Sequence, residues 1–186
     1  MTTVGTTQAV IFHGYGATPA DHWFGWLAEQ LEHAGVPTRI PALPDSAAPS
    51  PDTWAATAAE QLGNPGTGTI VVAHSLGCLT VLRHLASLKG AWKVGTLVLV
   101  SGFVDPLPGL PELDDFIGDA VDLSGVRERT GSLTVLRSDD DDHVPVELTD
   151  RLAGLLGTSA QVVPGAGHFL ATDGVTTLRH AFDAIV

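Results

Sequence analysis

The chain of 186 residues carries 9 Lys and Arg against 21 Asp and Glu, a formal charge of −12, with 44% hydrophobic and 16% charged residues. The apolar fraction can fill a sizeable core and the length suits one domain over 1–186, so intrinsic disorder is excluded, as is a disulfide-stapled miniprotein, since Cys78 stands alone. A strongly negative charge with no run of Lys or Arg disfavours nucleic acid and anionic membrane surfaces as partners.

In chain order, the segment from Met1 to Thr7 has no basic n-region, and the apolar run after it stops at His13, too short for an export signal. No stretch reaches the roughly 18 apolar residues of a spanning helix. The expected compartment is the reducing cytoplasm. Apolar, β-rich runs then recur at Gln8–Phe12, Thr38–Leu43, Thr69–Ala73, Thr96–Ser101, Leu133–Arg137 and Gln161–Val163. Their apolarity is continuous, not alternating, which predicts strands buried on both faces. Helical spacing fills the gaps: Trp23, Trp26, Leu27 and Leu31, then Trp54, Ala58 and Leu62 behind the Ser50-Pro51 start signal, then Leu79, Leu82 and Leu85. Alternating strand and helix predicts an α/β fold with a parallel sheet. The 27 residues of Val104–Thr130, with Pro106, Pro108 and Pro111, break this rhythm. They read as a segment covering part of a site, with a short helix at Leu113–Ala120.

The sharpest local feature is Thr69-Ile70-Val71-Val72-Ala73-His74-Ser75-Leu76-Gly77-Cys78, a buried strand running through a serine into a helix. Of the nine serines, only Ser75 has Gly or Ala at both −2 and +2. A sharp strand-to-helix turn strains its central residue and leaves no room for large neighbours, so small flanks are a steric requirement. Such a turn lifts the hydroxyl above the sheet and leaves the Leu76 amide at a helix N-terminus, where it can receive an oxyanion. A second donor is expected from His13-Gly14-Tyr15-Gly16, whose Tyr15 amide could point across to Ser75 if the strand order is 2-1-3-4-5-6, because the loops after strands one and three then meet at the switch point.

A serine nucleophile needs a base, and the base needs an orienting group. Ser138-Asp139-Asp140-Asp141-Asp142-His143-Val144-Pro145 follows the fifth strand, and Pro164-Gly165-Ala166-Gly167-His168-Phe169 follows the sixth. His168 is the one of eight histidines in a Gly-rich turn just past a C-terminal strand. The order serine, acid, histidine is that of a minimal α/β-hydrolase with about six parallel strands and helices on both faces. Asp141 is the expected acid from its place three before Val144, with Asp140 as the alternative.

Taken together, His13-Gly14-Tyr15-Gly16-Ala17, Asp21-His22-Trp23-Phe24, the His74-Ser75-Leu76-Gly77 elbow, Leu110-Pro111-Glu112-Leu113, Asp141-x-x-Val144-Pro145 and Gly167-His168-Phe169 resemble, in order, the motifs of the small serine hydrolases of the retinoblastoma-binding-protein-9 and YdeN type. The resemblance spans nearly the whole chain. It implies a triad of Ser75, His168 and Asp141 and a carboxylesterase-like activity. Ala73 departs by one methyl group from the glycine that many relatives of the wider α/β-hydrolase fold have there. The tumour-suppressor partner implied by the family's namesake is not carried over, because Leu76-Gly77-Cys78-Leu79-Thr80 lacks the closing glutamate of Leu-x-Cys-x-Glu.

The expected function is cleavage of small acyl esters or thioesters through an acyl-enzyme, with no metal or organic cofactor. The alternative is a hydrolase-like module that binds a protein or ligand without turnover. The four aspartates fail as a calcium loop, since Val144 stands where glycine is needed. Asp139 and Asp142 read as a solvated acidic loop, His13 and His74 as hydrogen-bonded braces of the elbow, and His33, His84 and His180 as surface groups on helices. Cys78 reads as a small core residue. Trp23 and Trp26, three apart, read as core packing on one helix face. The competing reading makes Trp23 and Phe103 the lining of an acyl pocket with Tyr15 at its entrance.

Overall fold

The structure, a computed structural model, describes residues 7–186. Six parallel strands form one sheet: β1 (Gln8–Phe12), β2 (Thr38–Arg39), β3 (Thr69–His74), β4 (Val94–Val100), β5 (Thr130–Arg137) and β6 (Gln161–Val162). They lie in the order β2-β1-β3-β4-β5-β6, the one expected of a minimal α/β-hydrolase. The helices are α1 (Phe24–His33), α2 (Pro51–Leu62), α3 (Leu76–Ser87), α4 (Asp114–Ile117), α5 (Val146–Leu155) and α6 (Arg179–Asp183). Among the described residues no helix is long and apolar enough to cross a membrane.

Successive side chains of a strand point to opposite faces, so the continuous apolar runs feed two cores at once. Val10, Phe12, Val71, Ala73, Leu97 and Leu99 pack on one face with Trp54 of α2, Leu82 of α3 and Leu152 of α5. Ala9, Ile11, Val72, Val98 and Val100 pack on the other with Phe24 and Leu27 of α1 and Ala181 of α6.

Most strands differ from the sequence reading by one to three residues at an end, and two larger differences have identifiable reasons. β2 ends at Arg39 and not Leu43: Pro41 has no N–H to donate, and the Leu43 N–H is diverted to His13 Nε2 at 2.9 Å. The expected Leu113–Ala120 helix is shorter, a 3-10 turn at Pro111–Leu113 running into α4, which stops at Gly118 in a φ of 47°. This insertion is pinned to the body of the protein. Arg83 of α3 donates to the carbonyls of Phe116, at 2.7 Å, and Ile117, and Phe116 packs edge-on against Trp54 with ring centroids 5.2 Å apart.

Candidate active site

Ser75 occupies the bend between the wholly buried β3 and α3 with φ 54° and ψ −125°. A non-glycine residue held there costs on the order of 1–3 kcal/mol and persists only when its surroundings over-determine it. They do: the Ser75 N–H donates to Val100 O at 2.9 Å and the Ser75 carbonyl accepts from Cys78 N–H at 2.9 Å. The flank at +2 fits closely only as glycine, because a Cβ on Gly77 would lie 2.3 Å from His13 O. Cys78 lies one turn behind, buried, its thiol pushed up to about 12 by burial, and so is inert packing.

The loop after β1 presses against this bend, since a Cβ on Gly14 would lie 2.9 Å from Ser75 Cβ. Leu43 N–H donates to His13 Nε2, which leaves the proton on Nδ1, donated to Gly14 O at 3.0 Å. Burial lowers the pKa of His13 and keeps that tautomer neutral. With the Gly14 carbonyl held toward His13, the trans peptide aims the Tyr15 N–H the other way. Neither the Tyr15 nor the Leu76 amide donates to a protein acceptor among the described residues.

Asp141 and His168 converge from two later strand ends. Ser75 Oγ donates to His168 Nε2 at 2.9 Å, and His168 Nδ1 donates to Asp141 Oδ2 at 2.8 Å, across 93 and 27 positions of sequence. Asp141 is the aspartate at the imidazole, its side chain only 2% exposed. Its Oδ1 accepts the His143 and Val144 amides, each at 2.9 Å. Burial alone would raise the Asp141 carboxyl, but the His168 hydrogen bond and charge and these amides outweigh it and hold it below the usual range. Asp140, the alternative acid, instead accepts from Ser138 Oγ and from Gly167 N–H at 2.8 Å. Asp139 is exposed, yet it is more than a solvated charge, because it accepts the Gly165 N–H at 2.8 Å. Ser138, Asp139 and Asp140 thus strap the His168 loop from one side. Asp173 takes the His168 N–H at 2.8 Å from another, and the His74 ring bonds His168 O at 2.9 Å from beneath. The sequence reading makes His74 a brace of the elbow, whereas its ring holds the His168 loop; for the other straps, a hydroxyl directly before the acidic run and an acid five residues past His168 are the available signals.

The cleft above Ser75 has a volume of about 250 Å³. Leu107, Leu110 and Leu113 of the insertion form one wall, Val144 and Leu170 another, with Tyr15, His143 and His168 completing the rim. His143 stacks on His168, with centroids 5.0 Å apart and planes at 22°, and its Nδ1 pairs with the exposed Asp142 at 2.6 Å. The pocket reading of Trp23 and Phe103 is corrected: both are 0% exposed, inside opposite cores, and neither lines the cleft. Trp23 precedes α1 and is sealed against Phe24 and His74, and Trp26 is half-buried beside Phe182 against the same core, so both pack as expected although only Trp26 lies on the helix. His84 is also corrected, being 8% exposed and bonded to Gly63 O at 2.9 Å, while His33 and His180 are exposed as expected. Asp141, Asp142 and His143 present ligand atoms within 4.8 Å of one another, but the amides, His168 and the His143–Asp142 pair already occupy them. A larger hollow of about 450 Å³, around Gln8, Thr38 and Arg39 at the opposite end of the sheet, is lined by neither serine nor histidine.

Comparison with known proteins places this geometry in context. The chain is 35% identical over 180 residues to "Putative hydrolase YdeN" of Bacillus subtilis (strain 168), covering 97% of this chain and 95% of that one. It superposes on the crystal structure of the B. subtilis ydeN gene product with a TM-score of 0.92, covering 97% of each chain. It shares its fold with Est1E from Butyrivibrio proteoclasticus at a TM-score of 0.60 and 16% identity, covering 97% and 88% of the two chains. The family model described as serine hydrolase matches residues 9–185. With a strained serine above a six-stranded parallel sheet and an imidazole against its hydroxyl, this chain belongs to the serine hydrolase family.

Proposed function

We propose that the protein is a carboxylesterase-like serine hydrolase that cleaves small, apolar acyl esters or thioesters through an acyl-enzyme, with Ser75, His168 and Asp141 as its triad. The observation that carries this reading is the unbroken hydrogen-bond line from Ser75 Oγ through His168 to Asp141, at 2.9 and 2.8 Å. Ser75 Oγ attacks the carbonyl carbon as its proton passes to His168 Nε2. Asp141 fixes the imidazole with its proton on Nδ1 and stabilises the imidazolium that forms. The oxyanion is received by the Tyr15 and Leu76 amides. His168 then gives its proton to the leaving oxygen or sulfur, and a water, deprotonated by the same nitrogen, releases the acid and restores Ser75. No step needs a metal or organic cofactor.

The leucine and valine walls support an apolar acyl group, and a cleft of about 250 Å³ favours a small one. The net charge of −12 disfavours strongly anionic substrates, nucleic acid and anionic membranes. A lone buried thiol suits the reducing cytoplasm.

A fluorophosphonate probe tests the reading. Wild type is expected to label and Ser75→Ala not to, with p-nitrophenyl acetate turned over by wild type alone. Labelling of neither protein would favour the non-catalytic binding module, and labelling of both would remove Ser75 as the nucleophile.

A further inference from the structure

In the order β2-β1-β3-β4-β5-β6, β4 lies between the strand that presents Ser75 and the strand that leads to Asp141. β4 supplies no member of the proposed triad, yet its end touches both sides of it. Val100 O accepts the Ser75 N–H at 2.9 Å, fastening the elbow. The next residue, Ser101, donates its N–H to Leu136 O of β5 at 2.9 Å and its hydroxyl to Asp141 Oδ2 at 2.9 Å. That oxygen is the one that accepts from His168. Ser101 is 0% exposed and holds a φ of 45°, a left-handed conformation that glycine adopts freely and serine does not. The chain thus keeps a strained, wholly buried residue with a hydroxyl where a glycine would sit more easily. The hydroxyl has one acceptor, the carboxylate oxygen facing the imidazole.

From this juxtaposition we propose that Ser101 is a positioning residue for catalysis, acting through Asp141: its hydroxyl fixes the carboxylate rotamer and shares the charge of the oxygen that orients His168. The inference rests on the triad reading above. Without Ser101, Oδ1 keeps its two backbone amides, but Oδ2 has only the imidazole, so the carboxylate can swing about Oδ1. The charge on Oδ2 is then less shared, and the imidazolium beside it is better stabilised. The other titratable groups facing His168 are His143 stacked at 5.0 Å, His74 at 4.9 Å, His22, and Asp173 on its backbone N–H. None of them changes in the variants below.

Ser101→Ala and Ser101→Gly remove the same hydroxyl but differ in strain, so the glycine variant should melt above the alanine variant, and it keeps the measurement available if the alanine variant does not fold. Both are expected to lower kcat/KM for p-nitrophenyl acetate at pH 7 by the same factor, about tenfold, whichever melts higher. In both, the acid limb of the pH profile should move up by about half a pH unit. The downfield proton resonance of His168 Nδ1–H should shift relative to wild type. A packing role alone would make activity track melting temperature and leave limb and resonance unmoved, and that result overturns the proposal, as do variants with wild-type activity. If wild type neither turns over the ester nor labels with fluorophosphonate, the hydrolase reading fails, and the resonance comparison still decides whether Ser101 positions the Asp141–His168 pair.

Discussion

Gly77→Ala would test the fit between the elbow and the loop facing it with a single methyl group. The added Cβ would lie 2.3 Å from His13 O, 3.0 Å from Phe12 O and 3.2 Å from His13 C, against an ordinary contact of 3.4 Å or more. The end of β1 and the first turn of α3 must therefore separate by about 1 Å, and all three obstructing atoms are backbone that no rotamer change can move. Overpacking of this kind costs roughly 1–3 kcal/mol, and at about 2–4 °C per kcal/mol for a chain of this size the melting temperature should fall by roughly 2–12 °C. The same separation draws the Tyr15 amide away from the Leu76 amide. A misplacement of about 1 Å at a reacting centre costs on the order of 100-fold in rate. Thermal unfolding and kcat/KM on p-nitrophenyl acetate should be read beside Gly25→Ala. Gly25 is exposed on α1 with nothing within 4 Å of its added methyl, and there alanine should stabilise by about 0.5–1 kcal/mol. A Gly77→Ala protein with wild-type melting and turnover would refute the close approach itself. One that is destabilised but fully active would remove the paired amides from the chemistry.

Three further outcomes are expected. Burial, then the nearby His168 charge, holds the His74 pKa well below its ordinary 6.5. The unfolded chain therefore binds the extra proton as pH falls below about 6.5, and stability is lost in that direction at up to ~1.4 kcal/mol per pH unit. His74→Gln should flatten the dependence of the denaturant midpoint on pH between about 7 and 5, and an unchanged slope would contradict the assignment. The Cys78 thiol, pushed up to about 12, should not react with a thiol reagent in the native protein at pH 8 and should react fully, once per chain, in guanidinium. Arg83→Ala removes the donors to Phe116 and Ile117 and loosens the wall that includes Leu113. KM for p-nitrophenyl butyrate should rise by about fivefold, ~1 kcal/mol, with kcat little changed; a fall in kcat alone would mean that the clamp serves something other than the cleft.

The sequence by itself determined whatever follows from local sterics and chain periodicity. Short, continuous, β-rich apolar runs read as strands covered on both sides, and their alternation with helical spacing leads to a parallel sheet, whose strand order follows from the hydrolase resemblance. The bend at Ser75 was legible because the cramping that singles it out acts within two residues on either side, and Gly77 is one of those residues. The helix over the cleft was legible as an insertion but not in its length, since α4 ends where Gly118 and the distant Arg83 stop it. Other features were decided by groups that meet only after folding. The spacing to Val144 points to Asp141 among the four aspartates, but nothing in the run says that Asp139 and Asp140 hold the loop that carries His168. Helical spacing cannot tell that Trp23 is sealed away from the cleft or that His84 caps its bond on Gly63. Ser101 has an unremarkable sequence context, and its bond to Asp141 comes from a strand end that the sheet sets between Ser75 and Asp141. Local rules fix which backbone shapes a segment can take, whereas the partners of a buried polar atom are chosen by long-range packing, and there the tertiary structure had the final word.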